Sequence, residues 1–261
     1  MLRYLKLTAV AAIATLVFTA AATAQTGSRL DQIISKGTLR VGMTGDYRPF
    51  TFLNPTTSKF EGFDVDMAEA LGKAIGVKVE FVKTSWPTMM KDFEADKFDV
   101  VTGGVSITLD RQKKGLFSSA IMREGKTPIA RCGDVSKYQT LEQIDKPETR
   151  VIVNPGGTNE KFARAHLKSA KITVYQDNVT IFDQIAKGDA DLMMTDASET
   201  RFQQKQHAGV LCSVHPDHPF DFSEKGIWMQ RDVALRDFVD LWLRTMIETG
   251  DYKTLFAKYF N

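Results

Sequence analysis

The chain has 261 residues, of which 43% are hydrophobic and 25% charged, the balance of a folded globular protein and not of a disordered or collagen-like one. Its 34 basic and 32 acidic residues are interspersed and leave a formal net charge of +2, so no basic stripe is offered to a phosphate backbone and nucleic-acid binding is not expected. The length suits one large domain or two lobes of about 100 residues each.

Arg3 and Lys6, an apolar run from Leu7 to Phe18, and Ala22-Thr23-Ala24 before Gln25 form the pattern of a cleaved secretory signal, residues 1–24, with a mature start near Gln25. The run is short of the ~20 residues that span a bilayer, no Cys follows it to carry a lipid, and no later stretch is apolar enough, so no membrane span is expected. Export of an α/β protein behind such a signal suits a bacterial periplasm. In that oxidising compartment Cys132 and Cys212 are expected to pair, and two isolated cysteines supply half a metal site at most.

From Thr38 short β-rich runs alternate with amphipathic stretches. Leu39 to Met43, Val77 to Val82 and Phe98 to Val101 read as strands; Val65 to Ile75 and Trp86 to Ala95 read as helices. After Lys126 the rhythm restarts with strands at Val151 to Val153, Ile172 to Tyr175 and Ala190 to Thr195, and helices at about Asn159 to Leu167 and Val179 to Lys187. This βαβα order predicts mostly parallel sheets with helices on their faces. A strand from Lys225 to Met229 and helices from Val233 to Met246 and Tyr252 to Phe260 close the chain. The expected organisation is lobe 1 over 25–125, lobe 2 over 126–220, and a return strand with C-terminal helices over 221–261 on lobe 1. No low-complexity segment, heptad run or long repeat is visible.

Three segments have the composition of an anion site. Gly103-Gly104-Val105-Ser106-Ile107-Thr108-Leu109-Asp110-Arg111 can present backbone N–H groups, the Ser106 and Thr108 hydroxyls and the Arg111 guanidinium to a carboxylate, although Arg111 beside Lys113 and Lys114 also reads as a solvated helix face. Asn154-Pro155-Gly156-Gly157-Thr158-Asn159-Glu160, between a strand and a helix, can turn free N–H groups to a crevice, or is a tight turn with Thr158 as the helix cap. It has neither the P-loop nor the GxGxxG spacing, which argues against a nucleotide. Thr195-Asp196-Ala197-Ser198-Glu199 ends an apolar strand, where α/β folds place ligands. Asp-x-x-Glu is also a capping-box-like pattern, worth ~1 kcal/mol without any ligand. If both carboxylates enter a closed cleft instead, repulsion and desolvation raise one pKa and leave a general acid. Tyr47, Phe50, Phe63 and Trp86 are candidates for an apolar wall. His166, His207, His215 and His218 have no triad partner or metal spacing and receive no role; no metal and no cofactor is expected.

From Arg29 to about Leu243 the chain resembles the amino-acid-type periplasmic solute-binding proteins, beginning with Gly62-Phe63-Asp64-Val65-Asp66-Met67-Ala68. The resemblance implies a two-lobed, type II periplasmic binding protein-like α/β fold with a ligand cleft between the lobes. It implies that Thr108 to Arg111 and Gly156 to Thr158 grip a ligand carboxylate and that Asp196 accepts an α-ammonium group. Thr44 to Tyr47 with Pro49-Phe50, Thr84 to Pro87, Gly125 to Ile129, Val153 to Arg164, Asp177 to Phe182 and Asp191 to Ala197 resemble more narrowly the cyclohexadienyl dehydratases of this fold. These enzymes convert prephenate to phenylpyruvate and arogenate to phenylalanine. That likeness implies Glu199 as general acid and Lys126 and Asn159 in substrate binding. The chain departs from the enzymes' Ser-Gly-Ile and Asn at Gly103-Gly104-Val105 and Thr108. The implied partner is a small carboxylate substrate; a transporter permease enters only if the chain is instead a non-catalytic amino-acid-binding subunit.

Overall fold

A computed structural model describes residues 27–260, so the signal-like segment and the expected mature start lie outside the described residues. Two mixed five-stranded sheets organise the chain. The first runs in the order Lys78–Lys83, Thr38–Met43, Val100–Val101, Trp228–Met229, Leu116–Phe117. The second runs Lys171–Val174, Arg150–Val153, Leu192–Asp196, Lys126–Arg131, Leu211–Ser213. Each sheet has its own core, and together they make the two-lobed α/β fold.

Alternation sets the strands. Leu39, Val41 and Met43 are fully buried on one face of Thr38–Met43, and Val41 pairs in parallel with Phe81 and Val100. In the second lobe Val151 and Val153 face one core cluster with Leu192 and Met194, while Ile152 and Met193 face another with Ile181 and Ile185. Each such side chain removed from water contributes ~1.5–3 kcal/mol, so a one-residue slip, which would reverse both faces, is strongly disfavoured. The helix Phe63–Ile75 buries Phe63, Met67, Ala68 and Leu71 at helical spacing against the first sheet. Val233–Thr249 does the same with Leu235, Val239, Trp242, Leu243 and Met246, so the C-terminal helices cover the first lobe.

Several elements differ from the sequence reading, each for a local reason. The sheets are mixed and not mostly parallel: Trp228–Met229 and Lys126–Arg131 enter antiparallel to both neighbours because each follows a crossing between the lobes. The expected Lys225 to Met229 strand is two pieces. Ser223–Lys225 pairs with Met122–Glu124 as a two-stranded ribbon between the sheets, and Trp228–Met229 joins the first sheet after the break at Gly226-Ile227. The helix expected from Trp86 starts only at Met89, after the Trp86-Pro87 turn. That expected from Val179 starts at Ile181, because Asp177 Oδ1 and Oδ2 accept from Val179 N at 2.9 Å and Thr180 Oγ1 at 2.7 Å and hold a turn. Arg29–Lys36, Leu116–Phe117, Lys126–Arg131 and Leu211–Ser213 were not expected.

Cys132 and Cys212 form a disulfide with a Cα–Cα distance of 4.8 Å, closing 80 residues of separation within the second lobe. Among the described residues no helix is long and apolar enough to cross a membrane.

Candidate active site

Four strand ends converge on the seam between the lobes: the loops after Thr38–Met43 and Val100–Val101 from the first, those after Arg150–Val153 and Leu192–Asp196 from the second. This is where open α/β sheets place ligands, because the loops beyond the strands are free to carry polar side chains that the sheet core rejects. The space enclosed at the seam, between Tyr47, Trp86, Ser106, Thr158, Asp196 and Lys225, is about 10 Å³, so the lobes are shut on each other.

Asp196 is the hub. Its Oδ1 lies 2.6 Å from Lys126 Nζ and its Oδ2 2.5 Å from Lys225 Nζ, and the Tyr47 hydroxyl donates to Oδ2. All three charged side chains are almost wholly buried, at 1–2% exposure. Lys126 Nζ also donates to Thr158 Oγ1 at 2.9 Å and Asn159 Oδ1 at 2.5 Å. The Asn159 amide donates to Asn154 Oδ1 at 3.0 Å and Thr195 Oγ1 at 2.9 Å, and the Thr195 hydroxyl passes the chain on to Glu199 Oε2 at 2.5 Å. Lys225 Nζ reaches back to the first lobe through Ser106 Oγ at 3.0 Å. A continuous polar network thus runs from Ser106 to Glu199 across the seam.

Burial and charge divide the titrating groups. Burial pushes the Glu199 carboxyl up to about 8, the nearby Asp196 charge adding to it against the Thr195 hydrogen bond and the two lysines. Burial would raise Asp196 too, but the ammonium groups of Lys126 and Lys225 outweigh it and hold that carboxyl well below the usual carboxylate range. Burial lowers Lys126 against the pull of Asp196, and it brings Arg111 down to about 10. The Tyr47 phenol is raised well above its ordinary value by burial and then by Asp196. Burial and Asp196 likewise raise Glu124.

The structure brings together Tyr47, Trp86, Ser106, Lys126, Thr158, Asn159, Asp196 and Glu199, and it corrects some details. Arg111 is buried and donates through Nη1 to Ser106 O at 2.7 Å, so it is not part of a solvated face. Thr108 caps the short Leu109–Gln112 helix, its Oγ1 accepting from Arg111 N at 3.3 Å, and it stands at the edge of this network. The Gly103 and Gly104 N–H groups are not open to a ligand, because the buried Asp64 carboxylate takes both at 2.7 and 2.6 Å. Gly104 has φ +75°, and a Cβ there would lie 2.4 Å from the Tyr47 ring, so only glycine lets that ring reach Asp196. The N-cap of Thr158–His166 is Gly157; Thr158 faces Lys126 instead of capping. Asp196 makes no side-chain cap and Glu199 no capping box, because the two lysines and Thr195 take those carboxyl groups. Tyr47 stacks on Phe50 and meets Trp86 edge-on, and the Trp86 indole donates to Asp46 Oδ1 at 3.0 Å. Phe63 is no wall of the cleft: it packs among Tyr252, Phe256, Tyr259 and Phe260 in the first core.

Sequence reasoning missed Lys225 and Glu124, and it gave Thr195, inside the Thr195 to Glu199 segment, no role of its own. Lys225 alone carried a signal, a single cation opening the apolar run Gly226-Ile227-Trp228-Met229. Among the described residues no three His, Cys, Asp or Glu side chains gather as a metal site.

The chain is 52% identical over 242 residues to the cyclohexadienyl dehydratase of Pseudomonas aeruginosa, covering 92% of this chain and 90% of that protein. The crystal structure of an ancestral amino-acid-binding protein, described as a precursor of cyclohexadienyl dehydratase, matches with a TM-score of 0.82 and 36% identity over 90% of this chain and all of that one, 100%. That of an ancestral cyclohexadienyl dehydratase matches with a TM-score of 0.56 and 51% identity over 90% of this chain and 97% of that one. The model of the bacterial extracellular solute-binding proteins, family 3, matches residues 39–261, and the chain belongs to that family.

Proposed function

We propose that the protein is a periplasmic cyclohexadienyl dehydratase that removes water and carbon dioxide from prephenate, and from arogenate, between lobes formed by residues 25–125 with 221–261 and by 126–220. The observation that carries this reading is Glu199: a carboxyl held at about 8 by burial keeps its proton at neutral pH, beside a carboxyl that does not.

Prephenate brings two carboxylates and a ring hydroxyl that must leave. Arg111 and the Gly156 to Thr158 turn hold the side-chain carboxylate, and Lys126 and Asn159 orient the ring carboxylate. The buried Lys126 and Lys225 ammonium groups contact Asp196, and the buried Arg111 guanidinium feels the same charge, so the cleft holds more than one cation for a dianion to meet. Glu199 gives its proton to the departing hydroxyl; the carbon–carboxylate bond breaks, its electron pair completes the aromatic ring, and water and carbon dioxide depart. A positioned acid supplies ~10²–10⁴-fold of rate. The balance requires neither a metal nor a redox cofactor. The seam as it stands is far too small for a substrate, so the lobes part to load it and close again to exclude water.

The rival is an amino-acid-binding transport subunit, favoured by the likeness to the ancestral binding protein. Asp196 weighs against it: the carboxylate that would hold an α-ammonium group is taken by two ammonium groups of the chain itself. Incubation with prephenate tests the choice. The protein should release phenylpyruvate, and Glu199→Gln should still bind prephenate while losing ~10²-fold or more of the rate. A wild-type protein that binds amino acids tightly and leaves prephenate unchanged refutes the enzyme reading.

A further inference from the structure

Each turnover of the reaction proposed above uses the Glu199 proton, and among the described residues the Thr195 hydroxyl is the side-chain hydrogen-bond partner of Glu199 on the seam side. Its other side borders a second, larger space. A chamber of about 240 Å³ lies between Asp46 and Arg48 of the first lobe and Asn178, Glu199, Gln203 and His207 of the second. Glu199, Gln203 and His207 are spaced by four along Ala197–Gln206 and its C-cap, so they form one stripe on one helix face. Exposure rises along it: Glu199 is 1% exposed, Gln203 7%, and the His207 side chain 23%.

The lining calls for water. Asn178 is 4% exposed, its amide nitrogen donates to Asp46 O at 2.9 Å, and its Oδ1 has no protein partner. A chamber of this size, bordered by the polar side chains of Asp46, Arg48, Gln203 and His207, has room for several waters. At the outer end both His207 ring nitrogens face acceptors, Nδ1 the Gln203 carbonyl at 3.1 Å and Nε2 Asp183 Oδ1 at 3.5 Å, so the ring is held in place beside the chamber's more exposed end.

We propose that this chamber is the proton-return path: water ordered along the Glu199, Gln203, His207 stripe carries a proton from solvent to the Glu199 carboxylate after each dehydration. The proposal rests on the dehydratase reading. Its balance is simple. Glu199 loses a proton to the leaving hydroxyl, which departs as water; a water of the chamber protonates Glu199 and is itself reprotonated by bulk water entering at the more exposed His207 end. Gln203 is a positioning residue, since it holds the water next to Glu199 and touches no substrate.

The test compares one turnover with many. Gln203→Leu keeps side-chain bulk and removes the hydrogen-bonding amide; Val179→Phe, at an exposed position on the same rim, narrows the chamber without entering a core. With enzyme in excess over prephenate, the first turnover uses a proton already on Glu199 and should stay within about twofold of wild type, while the steady-state rate falls about tenfold and is restored by a small acid such as imidazole. First-turnover and steady-state rates that fall together, or a steady-state rate unchanged in both variants, would overturn the path. A wild-type protein that never dehydrates prephenate would overturn the dehydratase reading first, and the path with it.

Discussion

Replacing Lys225 by Met removes one of the two ammonium groups that hold Asp196. At the observed contacts of 2.6 and 2.5 Å, with charge centres ~3 Å apart and an effective dielectric of ~20, each pair is worth ~5 kcal/mol of gross attraction. Most of that is offset, because Lys225 no longer has to be stripped of water and the Met stem still fills its place. Orphaning a buried charge costs ~3–5 kcal/mol, but Asp196 keeps Lys126 and the Tyr47 hydroxyl, so we expect a loss of ~2–3 kcal/mol. For a chain of this size that lowers the apparent Tm by ~5–10 °C. Thermal melts at pH 7 of wild type, Lys225→Met, Asp196→Asn and the double variant form the assay. With Asp196 neutral, Lys225 is itself a buried charge short of a partner, and its replacement should be neutral or stabilising, giving a coupling energy of ~2 kcal/mol or more. Single-variant losses that add within ~0.5 kcal/mol would refute the claim that the two charges depend on each other.

Prephenate turnover should be at its plateau below about pH 8 and decline as pH rises through that value, because Glu199 acts only when protonated; a rate that falls toward acid instead contradicts the assignment. The same raised carboxyl makes the folded chain bind more protons than the unfolded one between 4.5 and about 8, so this group's contribution to stability is full below 4.5 and lost as pH climbs through that window. Glu199→Gln should flatten that part of the stability curve. Arg111→Ala should weaken carboxylate binding by ~1.5–3 kcal/mol, roughly 10- to 100-fold by calorimetry, and unchanged affinity would remove Arg111 from the site. Cys132 and Cys212 should alkylate only after reduction, and Cys212→Ser should lower the Tm by an amount bounded by ~4–5 kcal/mol of loop entropy for the 80-residue separation; freely alkylated thiols in untreated protein would contradict the pairing.

The sequence made visible what repeats locally and hid what converges from a distance. Leu39, Val41 and Met43 announce a strand by alternation, and the Phe63 to Leu71 spacing announces a helix, because the same neighbours that set the pattern also set the structure. Leu116–Phe117 has two residues and therefore no period to read. Lys225 is buried by residues 29 and 119 positions away, Asp196 and Ser106, and no window of sequence contains all three. Asp64 is the same kind of case: its place at the start of a helix reads as favourable for the helix dipole, yet its oxygen holds Gly103 and Gly104, some 40 positions on. Asp196-x-x-Glu199 has the spacing of a cap and is not used as one, since two lysines offer Asp196 far more than a backbone N–H can.

That last choice is what gives the cleft its chemistry. Asp196 and Glu199 are three residues apart and equally buried, and desolvation penalises both ions alike. The lysines break the tie by geometry: both ammonium groups lie within 2.6 Å of Asp196, while Glu199 receives a neutral hydroxyl from Thr195. Once Asp196 is ionised its field opposes a second negative charge nearby, so the arrangement that fixes one carboxylate also keeps the other protonated. A proton donor therefore needs no base of its own to create it. It follows from where two lysines from separate strands meet one strand end, and exchanging which carboxyl they touch would exchange the two roles.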